Sequence, residues 1–257
     1  MNILQSLVLG IVEGLTEFLP VSSTFHLIVS ARLLALSSSD FLKLFEVFIQ
    51  SGAILALLFI YTRTLLKDQK LITNVFYSFV PTAVVGLVFH KIIKTVFFES
   101  NWLMLSAFIG VGLIFLFLER SSLVLEKTCH AITPKQAILI GLAQACSVIP
   151  GVSRAGSVIV VMMLLGYKRA EAAKYTFLLS FPTILAASVL DLYQGRTAII
   201  DHSDGWLLLA LGFFSALFVA YFVVKWFTRY LENHTLTIFG WYRLALASLL
   251  VVFKVLP

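Results

Sequence analysis

Apolar segments of roughly twenty residues recur along the whole chain and are separated by short charged connections. A helix of that length crosses about 30 Å of hydrocarbon at about 1.5 Å per residue. Hydrophobic residues make up 60% of the 257 residues and charged residues only 12%, whereas soluble domains carry about 25% charged residues. The pattern predicts an all-α integral membrane protein with one domain, residues 1–257.

Six segments have the length and flanks of full crossings: 45–62, 71–89, 101–119, 172–190, 206–227 and 237–256. Two further apolar segments, 3–36 and 135–166, are each interrupted by a polar patch, around Pro20 and around Pro150. Backbone groups freed at such a break are tolerated at membrane depth only inside protein or beside a water-filled cavity. We therefore expect two re-entrant helical hairpins in addition to the six crossings.

The basic residues of the connections divide unevenly between the two sides of the membrane. One side holds eleven of them: Arg63, Lys67, Lys70, Arg120, Lys127, Lys135, Lys168, Arg169, Lys174, Lys225 and Arg229. The other side holds six: Arg32, Lys43, Lys91, Lys94, Arg196 and Lys254. The richer side is assigned to the cytoplasm, so the first hairpin enters from outside and the second from the cytoplasm. Because the net charge of +6 is spread over these connections and not gathered on one face, no nucleic-acid partner is expected.

A shift of 131 positions lays the first hairpin on the second. The matched pairs include Gly10 with Gly141, Glu13 with Gln144, and Ser22 with Ser153. Because the two hairpins enter from opposite sides, we expect an inverted-topology repeat, with halves at about 1–119 and 135–257. That architecture gathers interrupted helices near the midplane, so the two polar patches are expected to meet there.

Three charged residues stand inside these apolar hairpins. Glu13 and Glu17 are spaced i, i+4, which places both carboxylates on one helix face. Each charged side chain exposed at the bilayer centre costs about 2.5–3.5 kcal/mol on insertion scales. We therefore expect Glu13, Glu17 and Arg154 to pair or to line a wet cavity, and a purely structural Glu–Arg bridge is the alternative to a site.

The polar residues after Pro20 allow two interpretations. Ser22, Ser23 and Thr24 could cap the second short helix. Beside them, however, the two glutamates offer a general base and His26 an acid or base, while Arg154 offers a fork suited to phosphate.

Helix starts just after the breaks favour an anion, and Gly151 and Gly156 let backbone approach it closely. Glu46 and Gln50, again i, i+4, can turn one polar face toward the same cavity. We therefore expect a phosphate-bearing ligand. A divalent cation, Mg or Ca, bridging carboxylate and phosphate is left open, and no organic cofactor is expected.

Three stretches resemble one known family. EGLTEFLPVSST followed by His26, FEVFIQSGAILA, and PGVSRAG are similar to motifs of the bacterial undecaprenyl-diphosphate phosphatases, also called bacitracin-resistance proteins, and the likeness covers essentially the whole chain. The resemblance implies an inner-membrane enzyme that hydrolyses undecaprenyl diphosphate to the monophosphate and phosphate. Such an enzyme recycles the lipid carrier of cell-wall synthesis and confers bacitracin resistance. Its partners would be a polyprenyl diphosphate substrate and the lipid bilayer, and a homodimer is left open.

The resemblance also implies roles for single residues. Ser23 would be the nucleophile, with His26 as the competing nucleophile or acid, and Glu13 or Glu17 would act as base or metal contact. Ser153 and Arg154 would hold the diphosphate in a site open to the periplasm. The expected substrate-binding set is Ser22, Thr24, Gln50, Gly151, Ser153, Arg154 and Gly156.

Two residues depart from the family pattern: Phe25 stands where the family has Gly, and Ala155 stands where it has Ser. The first change is expected to forbid a positive φ and to place a bulky ring beside Ser23. The second removes a hydroxyl contact of about 0.5–1.5 kcal/mol. The alternatives to a phosphatase are a catalytically altered relative or a prenyl-phosphate transporter or flippase, since inverted repeats with broken helices also build transporters.

Overall fold

The computed structural model describes residues 1–89, 100–200 and 202–255. In those ranges the chain forms α-helices, two single-turn 3₁₀ helices and one isolated β-bridge, and no β-strand. The α-helices are α1 Ile3–Thr16, α2 Ser23–Leu33, α3 Asp40–Lys67, α4 Gln69–Val88, α5 Asn101–Arg120, α6 Pro134–Ala145, α7 Arg154–Leu164, α8 Arg169–Gln194, α9 Arg196–Ile200, α10 Gly205–Asn233 and α11 Thr237–Val252.

Five of these helices, α3, α4, α5, α8 and α10, are long and apolar enough to cross a membrane. The prediction of an all-α membrane protein is therefore confirmed. The segment expected as the sixth crossing, 237–256, is shorter in the structure. Its helix α11 has 16 residues, which corresponds to about 24 Å. Lys91, Lys94 and residue 256, used above for loops and crossings, lie outside the described residues.

The two interrupted segments each fold as a pair of short helices, α1 with α2 and α6 with α7. None of the four exceeds 14 residues, so none can cross about 30 Å of hydrocarbon alone. Around Pro20 and Pro150 the backbone leaves the helical conformation before the second helix of each pair begins. The path of these hairpins through a bilayer remains a prediction.

Two local features recur at the 131-residue spacing. Ser22 and Ser153 precede α2 and α7 with φ values of 68° and 72°. In addition, α1 packs on α10, where Gly10 approaches the Gly212 backbone, and α6 packs on α4, where Gly141 approaches Ser78. These parallels agree with the proposed repeat, whose inverted orientation and boundaries remain predictions.

Buried hydrogen bonds attach the second hairpin to the long helices. Ser78 and Thr82 of α4 donate to carbonyls of α6 at 2.6 and 3.1 Å. The amide nitrogen of Gln144 donates to Thr82 and to Thr183 of α8, both at 3.0 Å. Polar groups buried in a dry interior stabilise the fold when they are bonded in this way. The second hairpin is thereby fixed on α4 and α8.

Glu119, at the end of α5, joins three helices. Its carboxylate pairs with the Arg169 guanidinium at the start of α8 and accepts the Leu236 N–H at 2.8 Å. Leu236 is the residue that precedes α11. A bidentate Arg–carboxylate pair fixes both position and angle, so the start of α11 is fixed relative to α5 and α8.

The close approach of α6 to α4 predicts a size limit at Gly141. A Cβ at this position would overlap the Ser78 carbonyl, whereas a Cβ at Gly110 would meet nothing within 4 Å. We expect Gly141→Ala to lower the free energy of unfolding by about 1–3 kcal/mol through overpacking. The matched control Gly110→Ala should not lower it. Thermal unfolding of the detergent-purified protein measures both, and equal midpoints for the two variants would contradict this packing.

Candidate functional site

The two hairpin breaks meet at the carboxylate of Glu17, which is buried and lies at the end of α1. One of its oxygens accepts the Ser23 hydroxyl, and the other pairs with the Arg154 guanidinium. Ser23 is the first residue of α2 and Arg154 is the first residue of α7. One carboxylate therefore joins the starts of two helices from different hairpins. The sequence singled out all three residues, and the structure places them in contact.

Glu13 lies one turn before Glu17 on the same helix and has no exposed surface. Neither of its carboxylate oxygens has a hydrogen-bond partner in the described part of the chain. A buried carboxylate without a partner is costly, so Glu13 is suited to meeting a further group when a ligand is bound.

The donor set around Glu13 limits what metal could bind there. Among the described residues no cluster of three or more His, Cys, Asp or Glu side chains is placed to hold a metal. Glu13 has two free oxygens, whereas both oxygens of Glu17 are engaged. This set fits an ion such as Mg²⁺, which keeps several waters and is completed by substrate phosphates.

The serines before the two helix starts differ in what their side chains do. Ser153 accepts the Gly156 N–H at 3.1 Å, so its hydroxyl caps α7. Ser22 occupies the same position before α2, but its side chain makes no capping bond. The capping interpretation of Ser22 and Ser23 is therefore wrong, and the cap at the matched position Ser153 was not predicted. Within the described ranges, the side chains of Thr24 and Gln50 form no hydrogen bond.

His26 forms a separate pair with Tyr242 of α11. Its Nδ1 lies 2.8 Å from the Ser22 carbonyl and must donate, because a carbonyl only accepts. The Nε2 of the neutral ring then accepts the Tyr242 hydroxyl at 2.7 Å, and the two rings stack. In the described part of the chain no hydrogen bond links His26 to Ser23, Glu13 or Glu17. His26 is therefore hydrogen-bonded to Ser22 and Tyr242 and not to the Glu17 carboxylate.

Arg243 of α11 is hydrogen-bonded to the backbone of both breaks and has no exposed surface. Its Nε donates to the Pro20 carbonyl at 2.9 Å, and its Nη1 donates to the Gly151 carbonyl at 2.9 Å. Further bonds reach the carbonyls of Phe108 and Val152 at 3.1 and 3.4 Å. Arg243 is not among the site residues predicted from the sequence. Its position inside the expected 237–256 crossing could have indicated it, because an ionisable residue in a membrane segment usually has a functional role.

Phe25 corrects two expectations drawn from the family pattern. The non-glycine residues with positive φ in the described ranges are Ser22, Ala35, Ser153 and Lys254, so Phe25 is not strained. Its ring is fully buried and stacks on Phe108 of α5, with ring centroids 3.9 Å apart. The expectation of a bulky ring beside Ser23 is therefore wrong, because the helical turn directs the Phe25 side chain toward α5.

The stacking predicts a structural role for Phe25. We expect Phe25→Ala to cost about 3–5 kcal/mol of unfolding free energy, since the substitution leaves a cavity against Phe108. Phe218→Ala is the matched control, because Phe218 is 67% exposed on α10. Thermal midpoints in detergent compare the two, and a Phe25→Ala midpoint as high as that of the control would show that the ring does not support the hairpin.

Known proteins are similar to this chain over nearly its whole length. Residues 6–249 match the family described as bacitracin resistance protein BacA. A protein of Campylobacter fetus named undecaprenyl-diphosphatase is 41% identical, over 98% of this chain and 99% of its own length. Proteins of the same name from Aquifex aeolicus and Sulfurimonas denitrificans are 38% and 40% identical, over 97% and 98% of this chain and 97% and 99% of their own lengths. The chain belongs to the bacitracin resistance protein BacA family.

Proposed function

We propose that this protein hydrolyses undecaprenyl diphosphate to undecaprenyl phosphate and inorganic phosphate, and so recycles the lipid carrier for cell-wall synthesis. The observation that carries the proposal is the Glu17 carboxylate, which accepts the Ser23 hydroxyl and pairs with Arg154. Ser23 as nucleophile and Arg154 as phosphate-binding residue thus both contact Glu17, the proposed base, in the interior. The curated relatives named undecaprenyl-diphosphatase support the same activity.

In the proposed reaction Ser23 attacks the terminal phosphorus while Glu17 takes the hydroxyl proton. The new Oγ–P bond forms as the bond from phosphorus to the bridging oxygen breaks, and undecaprenyl phosphate leaves. Water then attacks the phosphoserine, the Oγ–P bond breaks and Glu17 returns the proton to the Ser23 oxygen, which releases inorganic phosphate and restores Ser23. Attack by Ser23 is preferred to attack by His26 because only Ser23 is bonded to a carboxylate.

Arg154 is proposed to hold the phosphate that is transferred. Its Nε is buried and has no partner in the described residues, so a donor is free for a phosphate oxygen. The starts of α2 and α7 add backbone N–H groups and the positive ends of two helix dipoles. Ser22, Thr24, Gln50, Gly151, Ser153 and Gly156 complete the proposed substrate-binding set, in which Ser153 acts through its backbone because its hydroxyl caps α7. Catalysis of this kind is mainly positioning and charge stabilisation.

Glu13 is the residue proposed to hold a divalent cation, Mg or Ca, together with the substrate phosphates. When bound, the ion would neutralise phosphate charge at the site. Glu17 would be a weaker contact for such an ion, since Ser23 and Arg154 already contact its two oxygens.

The proposed location is the bacterial inner membrane, with the site open to the periplasm. The five helices long enough to span a bilayer support a multi-pass protein. The orientation rests on the excess of Lys and Arg in the connections assigned to the cytoplasm. The two glutamates and Ser23 belong to the hairpin that enters from outside in this arrangement.

The catalytic proposal predicts a loss of turnover in two variants. Ser23→Ala removes the nucleophile, and Arg154→Met removes the phosphate contact; we expect each to lower kcat by about 10²–10³-fold or more. Ser248→Ala, an exposed serine on α11, is the matched control and should keep the full rate. The measurement is phosphate release from a long-chain prenyl diphosphate in detergent micelles, with rapid quench to trap phosphoserine.

Three results would contradict the proposal in different ways. Full turnover by Ser23→Ala, together with no trapped phosphoserine in the unmodified protein, would indicate direct attack by water. Turnover retained by Arg154→Met would remove the second hairpin from the reaction. Vectorial movement of prenyl phosphate in sealed vesicles without phosphate release would indicate a transporter.

The unpaired carboxylate predicts opposite effects of Glu13→Gln on activity and stability. The neutral amide relieves a buried charge and can donate to Glu17, so we expect a thermal midpoint at least as high as that of the unmodified protein. Phosphate release should fall by about 10²-fold and should no longer respond to added Mg²⁺ after treatment with a chelator. A midpoint that falls together with the activity would assign Glu13 to the fold and not to the reaction.

A further inference from the structure

We infer that Arg243 is a positioning residue for the phosphatase reaction, because it fixes the two hairpin breaks relative to each other so that Arg154 meets Glu17 and Ser23. The inference rests on the proposed function. It assigns a task to a residue of α11 that contacts neither the Ser23 hydroxyl nor the Glu17 carboxylate.

Arg243 binds backbone carbonyls that lie just before Ser23 and Arg154 in the sequence. Pro20 lies three residues before Ser23, and Gly151 lies three residues before Arg154. Both carbonyls are freed where the helices break, and buried carbonyls without a donor are unfavourable. Within the described ranges no other side chain donates hydrogen bonds to the backbone of both breaks. One guanidinium therefore bonds the backbone of both breaks.

The orientation of the Arg243 guanidinium is fixed by its neighbours. It lies over the rings of Phe108 and Phe115, with its carbon 4.7 and 5.5 Å from the ring centroids. Its side-chain stem passes Gly112 of α5, where an added Cβ would lie 3.0 Å from the Arg243 Cβ. The start of α11 is fixed through Leu236 and Glu119. Arg243 is thus fixed from its helix to its terminal nitrogens.

Within the described ranges, the hydrogen-bond partners of the Arg243 guanidinium are four carbonyl oxygens and no carboxylate. A planar fork with five donors can satisfy several carbonyls in fixed directions, whereas a lysine ammonium is a point charge with three donors on a flexible stem. The function inferred for Arg243 therefore depends on guanidinium geometry and not on charge alone. The contact it maintains, between Arg154 and Glu17, is the one on which the proposed reaction relies.

A double-mutant cycle tests the inference. A displacement of about 1 Å at a reacting centre can cost about 10²-fold in rate, so we expect Arg243→Lys to lower kcat by about that factor with a smaller change in KM. In an Arg154→Met background the contact between hairpins is already lost, and Arg243→Lys should then cost about tenfold or less. Rates are expressed per folded, monodisperse molecule, as judged by gel filtration and thermal unfolding.

The matched control is Arg32→Lys, which alters an exposed arginine bonded to Asn101 at 2.6 Å. This variant should keep kcat within about twofold and combine additively with Arg154→Met. If Arg243→Lys does not fold, Gly112→Ala takes its place, because it displaces the Arg243 stem without removing the guanidinium. Its smaller loss of kcat should be non-additive with Arg154→Met in the same way.

Non-additive loss supports the inference. Unchanged kcat per folded molecule, or losses that add fully in the Arg154→Met background, would overturn it and leave Arg243 as a structural residue of the breaks. Both results require an active unmodified protein, so they leave the proposed phosphatase standing. Absence of phosphate release by the unmodified protein would instead remove the proposed function and the inference with it.

Discussion

Carbonyl groups freed at two helix breaks, in an interior from which water is excluded, are the constraint on which this structure depends. A re-entrant hairpin exposes such groups wherever its helices stop. Arg243 satisfies Pro20 of the first break and Gly151 of the second from a single side chain. The solution to a backbone problem therefore also aligns two helix starts, and these helix starts carry Ser23 and Arg154. Stability and the proposed chemistry share one set of hydrogen bonds.

The charges of the site are arranged so that some remain unsatisfied. Glu17 and Arg154 of the two hairpins neutralise each other's charge. Removing one partner of such a buried pair strongly destabilises the folded protein. Glu13 has no partner for either oxygen, and Arg154 keeps a free Nε. A protein selected only for stability would bond or replace these groups. Their presence beside Ser23, the proposed nucleophile, is what the proposed reaction requires, since its site must receive phosphate and a cation with it.

Helices and breaks could be predicted from the sequence because both depend on local properties, namely apolar length and the positions of proline and polar residues. Glu17 and Arg154 could be found because a charge inside an apolar hairpin demands an explanation, and Ser23 because it lies in the polar patch that resembles the family motif. Arg243 is also a charge in an apolar segment, but its task could not be predicted, because its partners Pro20 and Gly151 lie 223 and 92 positions away. The direction of the Phe25 ring was also beyond sequence reasoning, since it depends on Phe108 of a distant helix. Motif spacing gave the composition of the site but not its supports.

The two matched hairpins have taken different tasks. In the second, Gln144 stands where the first has Glu13, and its amide nitrogen is bonded to Thr82 and Thr183. Ser153 caps its helix, whereas Ser22 at the matched position leaves its hydroxyl unused for capping. The second hairpin is thus attached to α4 and α8 and contributes the Arg154 guanidinium, while the first keeps the unpartnered Glu13 carboxylate and the proposed nucleophile. Because reacting groups must stay available and their scaffold must not move, a division of this kind lets one hairpin be rigid so that the other can remain reactive.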